Sequence, residues 1–357
     1  MPKVLMYYSY ENKIGGPLTY INTIINSPLK EKYEFVTCFQ NEAPGGWNGK
    51  MLRRMIDTIK KEKPDIVHVH GAQSEGFYGA LAAKKAGCRN IVMTVHGFAF
   101  DDSNCRGIKK LLYKHVIEPL SLRWSKQVYC VCKSASERDV VRKNSKNRCY
   151  GYIHNPVPVL AVDEARSELR ARYGIADSDV VFCISGRISK DKGFDLLAQA
   201  VKKLNAEGKG GFKVLVIGDG PYRATFSDMM KDEIAAGQIL FSGHTNKVAN
   251  YLLASDAFVF PSYHENLSIA LLEACASALP AIVFDVGGNA EIITDGESGY
   301  VLKDFSADDL ADKMAILIQD PDIRNSMGKR AKETVMERFS LDLMCKKIDE
   351  VYKNALR

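Results

Sequence analysis

Two glutamates, Glu265 and Glu273, stand eight positions apart on either side of a predicted helix start. An apolar strand over 257–260 leads to the loop that carries Glu265, and Ser268 is a residue type that favours helix N-termini. At a rise of ~1.5 Å per residue, the two carboxylates stand roughly 8–10 Å apart. The free N–H groups of the helix start favour a phosphate or a polarised sugar oxygen. The pair suits a ligand with a sugar, a diphosphate and a ribose in a row. A capping carboxylate plus a solvated helix residue would give the same spacing.

A second loop carries two cations, Arg187 and Lys192, after a strand predicted over 180–185. An arginine can bind two phosphate oxygens at once and a lysine adds a point charge, so the loop is a candidate anion clamp. Basic side chains on such loops are also common as merely solvated residues. After the next strand, predicted over 213–217, Gly218 opens a glycine-rich turn in which the backbone can approach a ligand closely.

Two histidines end predicted strands, His70 the strand over 66–70 and His96 the strand over 91–95. The carboxyl ends of parallel strands are where open α/β sheets bind ligands. His96 is therefore a candidate site residue. For His70 we favour a structural role, with contact to an acceptor as the alternative.

The glycine pair Gly15-Gly16 follows a first strand predicted over 4–8 and precedes a helix predicted over 18–25. Glycine lets the backbone approach a ligand closely, and the helix start that follows favours an anion. A tight loop without any ligand would use the same pair.

Several of these segments, in this order, resemble the retaining family-4 glycosyltransferases. The stretch from Pro261 to Ala274 is similar to the E-x7-E region of that family, and the stretch from Gly186 to Asp195 is similar to its diphosphate site. The stretches 285–293 and 295–300 resemble the family segments that follow. The family usually has glycine after the first glutamate, where this chain has Asn266, a residue type that tolerates unusual backbone angles.

The resemblance implies a fold and a set of roles. The fold is GT-B, an α/β architecture of two Rossmann-like, doubly wound parallel-sheet domains that face each other across a cleft. The first domain would bind the acceptor and the second a nucleotide-sugar, with retention of the anomeric configuration and without a metal or other cofactor. The catalytic residues implied are His96, Arg187, Lys192 and Glu265. The residues implied to bind the nucleotide-sugar are Gly15, Gly16, Gly218, Thr245, Asn266, Leu267, Ser268, Ile269 and Glu273.

The chain has 357 residues and 46% apolar content, which is enough for two domains with cores of their own. Strands and helices alternate throughout, which favours parallel sheets. Near residue 155 the run His154-Asn155-Pro156-Val157-Pro158 contains two prolines, which can continue neither a ladder nor a helix. We therefore expect domains over 1–157 and 158–340, with a last helix over 341–357 that packs back on the first domain, as in the family.

The net charge of +6 conceals an asymmetry. Residues 1–160 hold 25 Lys and Arg against 13 Asp and Glu, a balance of +12, whereas the remaining residues have a balance of −6. A basic helix predicted over 107–126 is either a solvated face or a surface for anionic lipid, to which each Lys or Arg contributes about 1 kcal/mol. We expect a cytoplasmic protein, and the lipid alternative would place it peripherally on the inner face of the cell membrane.

The function that fits these patterns is transfer of a sugar from a UDP-sugar, or alternatively a GDP-sugar, to an acceptor hydroxyl. A lipid-linked saccharide in the assembly of a surface polysaccharide or glycoconjugate fits the basic half, and a small soluble acceptor is the alternative. An NAD-dependent oxidoreductase is disfavoured because no G-x-G-x-x-G follows the first strand. Nucleic-acid binding is disfavoured because no recognition motif accompanies the charge. The nine scattered cysteines predict reduced thiols, and no apolar run approaches the 18 or so residues of a membrane span.

Overall fold

The computed structural model describes residues 1–9, 16–40, 47–99 and 105–357. The chain divides into two compact units, of which unit 1 is Met1–Pro156 with Leu341–Arg357 and unit 2 is Val157–Ser340. Within the described residues each unit contains one six-stranded sheet. All neighbouring strands in both sheets pair in parallel. The predicted α/β class with two Rossmann-like parallel sheets is confirmed.

The first part of unit 1 alternates strands with helices up to Pro156. Its strands are β1 Lys3–Ser9, β2 Glu34–Gln40, β3 Ile66–His70, β4 Ile91–Val95, β5 Gln127–Cys130 and β6 Cys149–Tyr152. Its helices are α1 Gly16–Asn26, α2 Gly49–Glu62, α3 Ser74–Lys85, α4 Gly107–Leu112, α5 Glu118–Trp124, α6 Lys133–Ser136 and α7 Asp139–Ser145.

Unit 2 repeats this alternation within one continuous stretch of chain. Its strands are β7 Val180–Ser185, β8 Phe212–Ile217, β9 Ile239–Gly243, β10 Ala257–Phe260, β11 Ala281–Phe284 and β12 Gly299–Leu302. Its helices are α8 Arg166–Arg172, α9 Phe194–Ala206, α10 Arg223–Met229, α11 Lys231–Ala235, α12 Val248–Leu253, α13 Ile269–Ala276, α14 Asn289–Ile292, α15 Ala307–Gln319 and α16 Pro321–Arg338.

The chain then returns to unit 1 as α17, Leu341–Leu356. The apolar face of α17 is buried in the unit 1 core with residues of β1 and α1, and its contribution includes Met344, Ile348 and Tyr352. In the same contact the hydroxyl of the buried Tyr33 donates to Oδ1 of the buried Asp349 at 2.8 Å. The helix is therefore a structural part of the first sheet's cover.

The strands of both sheets are apolar because helices cover them. Every residue of β3, β4, β7 and β10 is buried, as expected for parallel strands covered on both faces. The sheet order is β2-β1-β3-β4-β5-β6 in unit 1 and β12-β11-β10-β7-β8-β9 in unit 2. In unit 1 the strand order reverses between β1 and β3, and in unit 2 it reverses between β7 and β10.

One predicted helix has a different form. The stretch predicted as a single helix over 107–126 contains a π-helical turn, Tyr113–Ile117, between α4 and α5. The N–H of Glu118 bonds to the carbonyl of Tyr113, five residues back, and the next residue, Pro119, has no N–H to donate. The proline thus accounts for the local widening.

Candidate active site

The reversal of strand order in unit 2 brings two loops together. After β7 the chain builds β8 and β9 on one side of the sheet and then returns to place β10 on the other side of β7. Open α/β sheets bind ligands outside the carboxyl ends of strands at such a reversal. The loop after β7 carries Arg187 and Lys192, and the loop after β10 carries Glu265. The sheet topology therefore collects the charged residues that the sequence analysis selected.

Lys192 and Glu265 form an ion pair in this place. Lys192 Nζ lies 2.5 Å from Glu265 Oε1, and the two side chains are only 20% and 10% exposed. The hydroxyl of Ser262 donates to the same oxygen at 2.8 Å. The ammonium group also lies 5.3 Å from the ring centroid of Phe260, within cation–π range. Because both donors use Oε1, Oε2 receives no hydrogen bond from the described residues.

Two glycines let the surrounding loops touch backbone to backbone. Gly193 has φ 69°, and a Cβ there would lie 1.8 Å from the carbonyl oxygen of Pro261. Gly287 has φ 58°, and a Cβ there would lie 2.1 Å from the carbonyl oxygen of Glu265. Any side chain at either position would push the Glu265 loop away from its neighbours. The sequence analysis gave neither glycine a role, since both contacts join distant parts of the chain.

A tyrosine that the sequence analysis did not select fixes the same loop. Tyr263 donates its backbone N–H to the carbonyl of Asp191 at 2.9 Å and its hydroxyl to Asp195 Oδ2 at 3.0 Å. Burial, together with the bond to Asp195, raises the pKa of Tyr263 to about 12, so the hydroxyl remains a donor. No local sequence signal marks this residue, because its partners lie on the loop and helix after β7.

Helix α13 begins where the sequence predicts. Ser268 is its N-cap, and Ser268 Oγ accepts the N–H of Leu271 at 3.2 Å. Leu267 is buried, and the carbonyl of Asn266 accepts the N–H of Gly288 at 2.6 Å. Ile269 is the first helical residue, so its N–H belongs to the first turn, which has no acceptor within the helix. These backbone donors lie at the end of the Glu265 loop.

Glu273, within α13, has different surroundings from Glu265. It is half-buried, and its carboxylate makes no hydrogen bond or ion pair with the residues that the structure describes. Burial raises the pKa of its carboxyl from 4.5 to about 7. A carboxylate in this state is short of hydrogen-bond donors, and the two hydroxyls of a ribose could supply them.

Three further predicted residues lie on loops after β7, β8 and β9. Arg187 is exposed and has no ion-pair partner among the described residues. Gly218 has φ 134°, and a Cβ there would lie 2.0 Å from the carbonyl oxygen of Gly186, so the close approach at Gly218 is to protein backbone. Thr245 uses its hydroxyl to accept the N–H of Lys247 at 3.0 Å.

Comparisons with known proteins identify the family to which the chain belongs. The model of the family "Glycosyl transferases group 1" matches residues 165–334, and that of "Glycosyl transferase 4-like" matches residues 24–130. The chain belongs to the family-4 glycosyltransferases. The first match spans most of unit 2 and the second lies within unit 1, so this glycosyltransferase resembles the family in both units.

Relatives and solved structures agree with that assignment. The glycosyltransferase is 29% identical over 311 residues to the N-acetyl-alpha-D-glucosaminyl L-malate synthase of Bacillus anthracis, covering 86% of this chain and 79% of that protein. It is 28% identical over 308 residues to an Escherichia coli UDP-Gal:alpha-D-GlcNAc-diphosphoundecaprenol alpha-1,3-galactosyltransferase, covering 85% and 79%. Its fold matches Anabaena HepE, solved with UDP and glucose, with a TM-score of 0.82 at 16% identity, covering 99% and 100%.

Two histidines of unit 1 in the glycosyltransferase lie at the ends of strands, His70 at the end of β3 and His96 directly after β4. Gly15 falls outside the described residues, and Gly16 is the exposed first residue of α1. His96 follows β4 and is half-buried, and its Nε2 lies 3.2 Å from Nδ1 of the fully buried His70. Burial lowers the pKa of His96 to about 3, so its ring is neutral near pH 7.

Metal-binding clusters and membrane-spanning helices are both absent from the described residues. No group of three or more His, Cys, Asp or Glu in this part of the chain could hold a metal ion. None of its helices is both long enough and apolar enough to span a membrane. The nine cysteines of the glycosyltransferase are all free thiols, as predicted.

Proposed function

We propose that this glycosyltransferase moves a sugar from a nucleotide-diphosphate sugar to an acceptor hydroxyl with retention of the anomeric configuration, and that unit 2 holds the donor. The observation that carries the proposal is the cluster of Lys192, Ser262 and Glu265 at the strand-order reversal. The loop that carries Lys192 also carries the exposed Arg187, which has no ion-pair partner within the described ranges. This cluster joins a cation suited to phosphate with a carboxylate suited to sugar hydroxyls.

The charged groups act on different parts of the nucleotide-sugar: the cations on the diphosphate and Glu265 on the sugar. Arg187, Lys192 and the first-turn N–H groups of α13 stabilise the negative charge that develops on the leaving diphosphate. These groups do so without a metal ion. Glu265 orients the sugar and offsets positive charge that develops at the anomeric carbon. Because Lys192 and Ser262 hold only Oε1, the other carboxylate oxygen is available to a sugar hydroxyl.

The donor proposed is a UDP-sugar, with a GDP-sugar as the alternative. The E. coli relative is named for a UDP-Gal donor, and HepE was solved with UDP. Glu273 binds the ribose, whose hydroxyls donate to a carboxylate that has no partner in the described part of the chain. The remaining donor contacts are the loop residues Gly15, Gly16, Gly218, Thr245, Asn266, Leu267, Ser268 and Ile269.

The acceptor proposed is a lipid-linked saccharide, which unit 1 meets at an anionic membrane surface. The E. coli relative's acceptor is named as a diphosphoundecaprenol-linked sugar. In unit 1 here, α4 has no buried residue, and its apolar side chains Ile108, Leu111 and Leu112 are 86%, 58% and 48% exposed. Their i, i+3, i+4 spacing puts them on one helix face, and the adjacent Lys109 and Lys110 can meet anionic headgroups.

A basic cavity beside this face supports the same acceptor. It has a volume of about 790 Å³ and begins at Lys114, in the π-helical turn that follows α4. Its charged and titratable lining contains a single acid, Asp139, and five basic residues, which are Lys114, His115, Arg123, Arg138 and Lys143. Such a cavity favours a phosphate-bearing headgroup over a neutral one.

A small soluble acceptor is the second candidate. The B. anthracis relative is named as a synthase that joins a sugar to L-malate, a small anion. A small anionic acceptor is also compatible with the positive net charge of unit 1. It gives no role, however, to the exposed apolar face of α4.

The experiment that tests the donor proposal is a panel of UDP- and GDP-sugars, scored by thermal stabilisation and by hydrolysis or transfer in the presence of EDTA. A ligand at 100 times its Kd raises the free energy of unfolding by about 2.7 kcal/mol. We expect one UDP-sugar to stabilise the wild type and to stabilise a Lys192→Met variant much less. Equal stabilisation of both proteins would contradict the proposal.

A further inference from the structure

Three histidine rings lie side by side within unit 1. His68 and His70 are on the same face of β3, because alternate residues of a strand share a face, and both are fully buried. Their ring centroids are 4.2 Å apart. His96 follows β4, the strand paired with β3, and its ring is stacked on that of His70 at 5.5 Å with an interplanar angle of 26°.

His68 is held by hydrogen bonds on both sides of its ring. Its Nδ1 lies 2.8 Å from the hydroxyl of Tyr352, on α17, and its Nε2 lies 2.7 Å from Thr94 Oγ1, on β4. This anchored ring forms one wall against His70. The opposite side of the group is closed by Tyr20, whose ring lies edge-on to His96 at 5.3 Å. The position of His70 is therefore fixed by its neighbours.

The ring of His70 makes a single hydrogen bond with the described part of the chain. Its Nδ1 lies 3.2 Å from His96 Nε2, and its own Nε2 is buried with no partner among the described residues. Burial is the main cause of the strongly lowered pKa of His70, and burial also lowers the pKa of His96 to about 3, so both rings are neutral. Two neutral imidazoles that share one hydrogen bond have two arrangements of their protons.

The unpartnered nitrogen distinguishes the two arrangements. If His96 Nε2–H donated, neutral His70 would carry its proton on the buried Nε2, which would leave an N–H without an acceptor. If His70 Nδ1–H donates, the buried Nε2 is left with only an unused lone pair. Orphaned buried N–H groups are rarer than under-used acceptors.

We propose that His70 is a positioning residue, which donates from Nδ1 to Nε2 of His96 and thereby holds His96 in the Nδ1–H form. This role deepens the proposed function, on which the activity readout below depends. In that form His96 offers an N–H donor, and its Nε2 is already occupied. Any hydrogen bond from the His96 ring to an oxygen of the substrate would then use Nδ1–H as the donor, and His96 would not act as a proton acceptor.

The experiment reads the tautomer of His96 directly. Long-range ¹H–¹⁵N correlation spectra of the ¹⁵N-histidine-labelled full chain at pH 7.5 distinguish Nδ1–H from Nε2–H rings. The His96 and His70 signals are assigned by their loss in His96→Gln and His70→Asn. We expect both rings in the Nδ1–H form in the wild type. His96 in the Nε2–H form would overturn the proposal. The measurement requires no nucleotide-sugar, so its outcome does not depend on the proposed function.

Two variants at position 70 then separate positioning from packing. The amide nitrogen of His70→Asn can stand in for Nδ1 as a donor, whereas His70→Phe keeps a ring without a donor. We expect His96 to stay in the Nδ1–H form in the Asn variant and to shift to Nε2–H in the Phe variant. For a sugar donor found by the panel, the Phe variant should lower kcat about tenfold, with partial rescue in the Asn variant. A Phe variant that keeps the Nδ1–H form at His96 would overturn the positioning role.

Discussion

At the scale of single residues, the two glutamates of the E-x7-E segment have opposite electrostatic surroundings. Glu265 accepts hydrogen bonds at one carboxylate oxygen, Oε1, from Lys192 and Ser262. Glu273 has no such donors among the described residues, and burial raises the pKa of its carboxyl to about 7. The carboxylate of Glu265 therefore has hydrogen-bond partners before any ligand binds, whereas that of Glu273 would gain them from a ligand.

The surroundings of Glu273 predict a pH-dependent cost to stability. The folded state binds a proton at Glu273 more tightly than the unfolded state, whose carboxyl has the ordinary value of 4.5. The stability associated with this proton is full below about pH 4.5 and is lost as the pH rises through 7. We expect Glu273→Gln to have a higher Tm than the wild type at pH 8, and a smaller advantage at pH 5. Melting curves at the two pH values check this, and an equal Tm difference at both would contradict it.

The exposed Arg187 predicts a loss of binding without a loss of stability. Each charge-assisted hydrogen bond contributes about 1.5–3 kcal/mol, so Arg187→Ala should weaken UDP binding by roughly 10- to 100-fold. Its Tm without ligand should not change, because the side chain has no ion-pair partner among the described residues. Lys190→Ala is the matched control, since Lys190 is exposed on the same loop. Isothermal titration calorimetry measures the Kd of UDP for both variants. Equal Kd values for the Arg187→Ala and Lys190→Ala variants would show that Arg187 does not bind the diphosphate.

At the scale of elements, the sequence predicted the strands and the loops that carry charge. These strands and loops are predictable because each has a local sequence pattern, an apolar run followed by glycine, serine or a charged residue. The contacts that hold the site were not predictable in this way. Tyr263 with Asp195, Gly287 with Glu265 and His70 with His96 each join loops or strands that only the sheet order brings together.

The helix α4 predicts binding to anionic vesicles. We expect the wild type to sediment with vesicles that contain phosphatidylglycerol at low salt, and less at 1 M salt, where the screening length falls to about 3 Å. The double variant Ile108→Ser/Leu112→Ser should lose this binding because it removes apolar contact area. Met336→Ser is the control, since Met336 is an exposed apolar residue that lies in unit 2 and not on α4.

Two outcomes of this sedimentation experiment would favour a soluble acceptor instead. One is wild-type protein that stays in the supernatant at low salt. The other is equal binding to neutral and anionic vesicles, since charge would then have no part in it.

At the scale of the whole molecule, the two units differ in how the chain builds them. Unit 2 is one continuous stretch, Val157–Ser340, whereas unit 1 combines Met1–Pro156 with α17. The sequence indicated the boundary through its prolines near 156–158. That α17 packs on unit 1 could be expected only from the resemblance to the family. An apolar helix face shows that the helix is buried, but it does not indicate which of the two sheets the helix covers.

This difference predicts unequal behaviour of separate fragments. Residues 157–340 should unfold cooperatively and bind UDP, because their sheet and its helices are complete. Residues 1–156 should lack a cooperative transition, because Met344, Ile348 and Tyr352 of α17 are buried in the unit 1 core. Circular dichroism melting and calorimetry with UDP test the pair. A sharp thermal transition in residues 1–156 alone would show that α17 is dispensable.

The placement of α17 also sets an order for folding during synthesis. At about 5–20 residues per second, the ribosome takes about 10–40 s to extend the chain from residue 156 through the end of α17. During that interval unit 1 lacks its last helix, and the buried His68 lacks the hydroxyl of Tyr352. Unit 2 can fold first, although its residues come second in the chain. A nascent unit 1 would thus expose an apolar groove to chaperones until translation has passed Tyr352.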